Sequence, residues 1–111
     1  MDLNAPIAFG TVDADGNLDG NASNFRVAKS GRSGEGRYWI EFLPGTFSEN
    51  PAVVATVAAT NNAGGQNGTN RTISVTFLST VRVEIGIRKA SSDKVEDSNR
   101  PFSFIAIGQP G

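Results

Sequence analysis

The densest group of potential metal ligands in this sequence is the stretch 13–20, which reads DADGNLDG. Counted from Asp15, it matches the opening of an EF-hand calcium loop, with oxygen-bearing side chains at alternate positions followed by a glycine. The position that requires a bidentate glutamate is occupied by Arg26, and a cation there opposes calcium binding. The stretch therefore favours a tight turn between two strands. A weak, irregular calcium site using Asp13, Asp15 and Asp19 is the less favoured alternative.

Side chains that could perform catalysis are scarce. The chain has no histidine and no cysteine, the residues most used to activate nucleophiles and to bind zinc at neutral pH. Glycoside hydrolysis needs two carboxyl groups that face each other across a cleft. The acids here lie in turns or, like Glu41 and Glu84, at mid-strand positions where pairing with arginine is expected. The sequence therefore predicts a protein that is not an enzyme and uses no cofactor or metal.

Ligand binding has more support, because the chain contains one tryptophan in a strand-like run. Trp39 lies between Tyr38 and Ile40, and strand alternation directs it away from the side that carries Ile40 and Phe42. An outward tryptophan is either a packing or interface anchor or a platform on which a sugar ring stacks. Both interpretations stay open.

A polar loop offers a second group of candidate ligand contacts. The segment 61–70 is longer than a hairpin requires, and loops of this length often carry function. Its side-chain amides could hydrogen-bond a hydroxyl-rich ligand, or the loop could be a plain connection between strands. The predicted ligand-binding residues are Trp39, Asn61, Asn62, Gln66, Asn67 and Asn70.

Charge and hydropathy limit the possible partners. Ten Lys and Arg residues against eleven Asp and Glu residues leave a net charge of −1, without a basic stripe that could follow a phosphate backbone. No apolar run approaches the ~20 residues that a membrane-spanning helix needs, and the first residues do not resemble a signal peptide. The sequence thus predicts no nucleic-acid partner and no membrane insertion.

The elements that must position these residues are strands. Short apolar runs separated by loops rich in Gly, Asn, Asp and Ser predict one all-β domain, a jelly-roll-like antiparallel sandwich of about seven strands. We expect this domain to span 1–108 and residues 109–111 to form a flexible C-terminal tail. The segments 30–36 and 89–100 are expected to be loops. The predicted strands cover 7–12, 25–29, 38–43, 53–59, 73–77, 81–88 and 102–108.

Two of these runs alternate apolar and polar residues cleanly. Segments 73–77 and 81–88 are separated by only three residues, which predicts an antiparallel hairpin. The same alternation predicts that Ile73, Val75 and Phe77 share one face of the hairpin.

Two other runs, 53–59 and 102–108, are apolar on both faces. This is typical of central strands that are covered twice. Because only one face of each sheet meets the core of a two-layer sandwich, the other face needs a second cover. Another subunit or a loop of the same chain would provide it, and the sequence alone does not decide between them.

Read in order, several segments resemble a known group of domains. They are FGTV at 9–12, NFRV at 24–27, GRYWIEF at 36–42, PAVV at 51–54 and FSFIAIG at 102–108. Their succession resembles the small trimeric β-sandwich domains at the tips of bacteriophage tail fibres. The second half is also similar to the H-type lectin domain, whose pattern runs through Phe-x-x-x-Pro-x-Val to a closing Ile-Ala-Ile-Gly strand. The chain departs from that pattern at Phe104, where many such lectins have tryptophan.

This resemblance implies a homotrimer, or a higher multiple, that recognises carbohydrate on cell surfaces without a cofactor. It implies a location on a virion tail fibre or outside the cell, and it assigns no sugar-contacting residue to this chain. The alternative is a structural trimerisation or decoration module that has no ligand of its own.

Overall fold

The computed structural model describes residues 5–19, 24–57, 71–90 and 95–111. Within these ranges the protein is all-β and its strands form two antiparallel sheets. The described strands are β1 (Ile7–Val12), β2 (Leu18–Asp19), β3 (Val27–Gly34), β4 (Arg37–Phe42), β5 (Ala52–Val57), β6 (Arg71–Leu78), β7 (Arg82–Ala90), β8 (Val95–Asp97) and β9 (Phe102–Ile107). In this part of the chain we find no helix long and apolar enough to cross a membrane.

The two sheets face each other across one apolar core. The four-stranded sheet has the order β2-β1-β9-β5, and the five-stranded sheet has the order β3-β4-β7-β6, with β8 also pairing with β7. Strand alternation sends every second side chain inward, so Tyr38 of β4 meets Phe102 of β9 edge-on, with ring centroids 5.2 Å apart. Other buried members of the core are Ala8, Val12, Ile40, Phe42, Phe47, Val83, Ile85, Ile87, Phe104 and Ala106. The predicted all-β fold is confirmed.

Segment 30–36 differs from its prediction. Most of it belongs to β3, where Ser30 pairs with Ile40 and Arg32 with Tyr38. Glycine disfavours strand structure in isolation, but pairing with a buried neighbouring strand outweighs that local preference. The short strands β2 and β8 were likewise not predicted, because each depends on a distant partner strand and not on its own composition.

The predicted hairpin is confirmed, with one local correction. β6 and β7 pair antiparallel, but a β-bulge lies between Val75 and Phe77. The extra residue moves Phe77 opposite Glu84, so its side chain is exposed on the outer face. Ile73, Val75 and Phe77 therefore do not all share one face, because a bulge reverses the alternation that follows it.

β5 was expected to be a central strand covered on both sides. It is instead the last strand in the described order of its sheet, and Val54 on its outer face is 72% exposed. Apolar residues on both faces show what each face can contact, but they do not fix where the strand lies within the sheet.

The last residues of the chain are hydrogen-bonded to the turn at 46–48. The Ser48 amide donates to the Gln109 carbonyl at 3.1 Å, and the Gly111 amide donates to the Thr46 carbonyl at 3.3 Å. β9 directs the residues that follow it alongside the turn at 46–48, which supplies partners for their backbone groups.

Tyr38 carries the polar end of a core side chain. Its hydroxyl donates to the Ala14 carbonyl at 2.7 Å and so joins β4 to the turn between β1 and β2. Burial raises the pKa of Tyr38 above its ordinary value of 10.0, because ionisation would place a phenolate in a poorly solvated site.

We expect Tyr38→Phe to lower the free energy of unfolding by about 1 kcal/mol near neutral pH, because it leaves the Ala14 carbonyl without this donor. In the unsubstituted protein, Tyr38 ionises at pH ~10 in the unfolded chain and only at a higher pH in the folded state. The stabilisation from this hydroxyl group is therefore complete below pH ~10. It is lost as the pH rises through the higher pKa of the folded state. The variant should lack this component of the alkaline decline. Urea unfolding between neutral pH and about pH 11 measures it, and an identical decline in both proteins would contradict the assignment.

Candidate functional site

The outer face of the five-stranded sheet holds the candidate site. Because Tyr38 points into the core, its neighbours Arg37 and Trp39 point outward. The register of β4 against β7 places Trp39 opposite Glu84 and Arg37 opposite Gly86. The tryptophan and a row of polar side chains therefore lie side by side on the outer surface.

The Trp39 ring lies between a glycine and an arginine. A Cβ atom added to Gly31 would come within 2.4 Å of the ring carbon Cζ2, so the ring rests directly on the β3 backbone. The guanidinium carbon of Arg82 lies 4.9 Å from the ring centroid, a cation–π arrangement. Trp39 faces outward as the alternation predicts. A ligand that stacked on its ring would have to displace the Arg82 guanidinium or contact it alongside the ring.

Arg82 is held near the ring by two carboxylates. Its Nη1 atom lies 3.7 Å from Oε1 of Glu41, and its Nε atom lies 3.2 Å from Oε2 of Glu84. The Nε contact is an ion pair without hydrogen-bond geometry. Lys29 also reaches Glu41, at 3.6 Å. All four side chains are about one third exposed or more, and exposed pairs of this kind contribute only about 0–1 kcal/mol each. A competing ligand could therefore move Arg82 at small cost.

A polar groove of about 480 Å³ opens next to Glu84, the residue that pairs with Trp39, although the Trp39 ring itself rests on β3 and does not line the groove. Gly86 leaves its floor bare, and a Cβ atom added there would lie 3.2 Å from the Thr76 methyl group. The volume is within the range of small-molecule sites, and the hydroxyls and charges around it suit a ligand with many hydroxyl groups. Its polar lining side chains belong to Ser33, Arg37, Ser74, Thr76, Glu84, Arg88 and Asp97.

One carboxylate at the groove is shared by two arginines. Asp97 lies 3.8 Å from Nε of Arg37 through Oδ2 and 3.7 Å from Nε of Arg88 through Oδ1. The pairing of β8 with β7 puts Asp97 opposite Arg88. The Arg37 and Arg88 side chains are 71% and 55% exposed. Since each guanidinium has five N–H donors, both retain donors that can reach a ligand.

Of the predicted ligand-binding residues, the structure describes Trp39. The groove residues on β3, β4, β6, β7 and β8 were not predicted, since Asp97 was assigned to a charged loop and Glu84 to pairing with arginine. The signal that could have revealed them is Gly86 in the outward row of a strand that otherwise alternates regularly. The predicted residues that lie outside the described part of the chain are Asn61, Asn62, Gln66, Asn67 and Asn70.

The acidic stretch at the β1–β2 connection forms the predicted tight turn. Oδ1 of Asp13 accepts the backbone N–H groups of Asp15 and Asn17, each at 2.9 Å, and Gly16 has a φ of 94°. The Asp13 carboxylate therefore stabilises its own turn. Across the described residues, no three His, Cys, Asp or Glu side chains are grouped so that they could hold a metal ion.

Comparison of the chain with protein-family models, with curated proteins and with solved structures finds no match.

We expect Gly31→Ala to displace the Trp39 ring, because the new methyl group would overlap ring carbons. The free energy of unfolding should fall by about 1–3 kcal/mol, as for other overpacked sites, and the tryptophan emission should shift. Trp39 is the chain's single tryptophan, so its fluorescence reports this position alone. Gly34→Ala in the same strand is the matched control, because the nearest atom to the added methyl group would be Cδ of Arg37, at 3.9 Å. Equal destabilisation of both variants would argue against the position of the Trp39 ring on Gly31.

Proposed function

We propose that this protein is a non-catalytic binding module that recognises carbohydrate on cell surfaces. It works as a homotrimer, or a higher multiple, of jelly-roll-like sandwiches of the tail-fibre or H-type lectin kind. The observation that supports the proposal most is the outward Trp39 beside the polar groove over Gly86. A sugar ring has an apolar face that stacks on an aromatic side chain and hydroxyl groups that need hydrogen-bond partners. This surface offers both, because Trp39 and the groove residue Arg37 are two positions apart on the same face of β4.

Binding at Trp39 requires Arg82 to move, and the energies allow it. An exposed cation–π contact is worth about 0.5–1 kcal/mol, and each exposed ion pair of Arg82 contributes about as much or less. A stacked sugar replaces the guanidinium on the ring, and the loss of the Arg82 contacts with Glu41 and Glu84 costs little because these ion pairs are exposed. The hydroxyl groups of the same or the next sugar reach Arg37 and Arg88 in the groove.

The predicted amides of the loop belong to the same proposal. Asn61, Asn62, Gln66, Asn67 and Asn70 precede β6 in the chain, and β6 supplies Ser74 and Thr76 to the groove. Together they would extend a shallow site that binds one sugar weakly. A trimer raises the overall affinity for a glycan-covered surface, because the second and third contacts are made at high effective concentration. A location on a virion tail fibre or outside the cell would give the site access to such surfaces.

A second candidate function is structural trimerisation or particle decoration without a ligand. The observation that favours it is the contact between Arg82 and Trp39. With its ring covered by a guanidinium and its charges paired, the outer face is satisfied without a ligand.

A glycan array separates the two functions. We expect labelled native protein to give reproducible hits, and Trp39→Ala and Arg37→Ala each to reduce the signal about tenfold or more, which corresponds to about 1.4 kcal/mol. Lys29→Ala is the matched control, because it loses an exposed ion pair of the same kind but does not line the groove. Silence of the native protein across a broad array would reject the glycan function and support the structural one.

A further inference from the structure

The outer face of the four-stranded sheet has the opposite character to the candidate site. Alternation in β1, β9 and β5 points large apolar side chains outward, where the register places Ile7 opposite Ile107 and Ile105 between Phe9 and Val54. Phe25 adds to this patch by packing on Phe9, with ring centroids 5.7 Å apart. We name the group the apolar sheet face. Its large members, between 36% and 72% exposed, are Ile7, Phe9, Phe25, Val54, Ile105 and Ile107.

Charged residues lie at the border of the apolar sheet face: the guanidinium carbon of Arg26 is 5.1 Å from the Phe25 ring centroid, and Asp19 of β2 pairs with Thr11. The outward positions of β1, β9 and β5 carry no Asp, Glu, Lys or Arg. Their polar side chains are small, and two of them satisfy each other, since the hydroxyls of Thr11 and Ser103 lie 2.9 Å apart. A surface of this kind is stabilised by burying apolar area and not by charge complementarity.

The exposed area suits an interface between protein chains. A whole aromatic side chain offers about 150–250 Å², so the six large side chains together expose roughly 600 Å². That is the upper end of the largest apolar patch on a typical monomer, about 300–600 Å². With the small outward neighbours Ala52 and Thr56, the face approaches the ~800 Å² that each partner contributes to a stable interface.

We propose that the apolar sheet face is the surface through which copies of this chain associate. Every other copy of the chain presents the same rows of uncharged side chains. Three such faces around a threefold axis would enclose one common apolar core. The arrangement leaves Trp39 and the groove on the outside of the assembly, because they lie on the opposite sheet. The inference deepens the homotrimer of the proposed function by naming its interface, and it does not depend on glycan binding.

The test places a charge at the centre of the face. We expect the native protein to sediment at about 10 µM as a multiple of its 11.6 kDa chain mass. Ile105→Lys should reduce the mass to that of one chain while the β-type circular dichroism spectrum is retained. Val54→Lys, on a more exposed side chain of the same face, should do the same and decides the matter where Ile105→Lys does not fold. Val81→Lys is the control, because Val81 is 57% exposed in the β6–β7 turn and its substitution should leave the mass of the assembly unchanged.

Native protein with the mass of a single chain would overturn the inference. So would an assembly that both substitutions on the face leave intact. A dimer that both substitutions dissociate would support this interface and remove the trimer from the proposed function. An intact assembly that is silent on the glycan array would remove the glycan function and keep the interface. A monomeric Ile105→Lys protein that still binds glycan weakly would support both.

Discussion

In a two-layer sheet structure every side chain at a strand position is either inside or outside, and the core between the sheets decides which. In this protein the inward direction of β4 and β9 is set by the edge-on contact of Tyr38 with Phe102 across that core. With Tyr38 and Ile40 buried, Trp39 has no alternative to the outer face. With Phe102 and its alternate neighbours in β9 buried, Ile105 must also point outward.

This constraint gives the protein two outer surfaces of different chemistry. On the five-stranded sheet the outward rows are charged and polar, with ion pairs such as Arg82 to Glu41 and Glu84. On β1, β9 and β5 of the four-stranded sheet they are uncharged and mostly apolar, and the charged residue Asp19 lies at the edge, on β2. A polar surface that contains one aromatic ring suits a hydroxyl-rich ligand, whereas an exposed apolar face is stabilised by being covered. The two proposals therefore use opposite sides of the molecule and do not compete for surface.

Two glycines shape the polar surface by the absence of a side chain. At Gly31 a Cβ atom would collide with the indole of Trp39, and at Gly86 it would rise from the floor of the groove. Both glycines lie within strands, where glycine lowers local stability. They compensate by leaving space: Gly31 lets the Trp39 ring lie on the β3 backbone, and Gly86 deepens the groove.

Several features followed from local pattern and could be predicted. The alternation in 81–88 and the short connection before it indicated the β6–β7 hairpin, and the alternation around Trp39 indicated that its side chain points outward. The aspartates and glycine at 13–17 indicated a turn, because their side-chain and backbone preferences act within a few residues.

The sequence by itself determined the fold class, the hairpin, the tight turn and the existence of two kinds of strand face, because these depend on neighbours in the chain. The tertiary structure alone decided the bulge that exposes Phe77, the strand character of 30–34, and the place of Asp97 beside two arginines. It also decided that β5 ends its sheet and that Val54 is exposed. Each of these depends on pairing between segments far apart in sequence, where a shift of one residue exchanges the two faces of a strand.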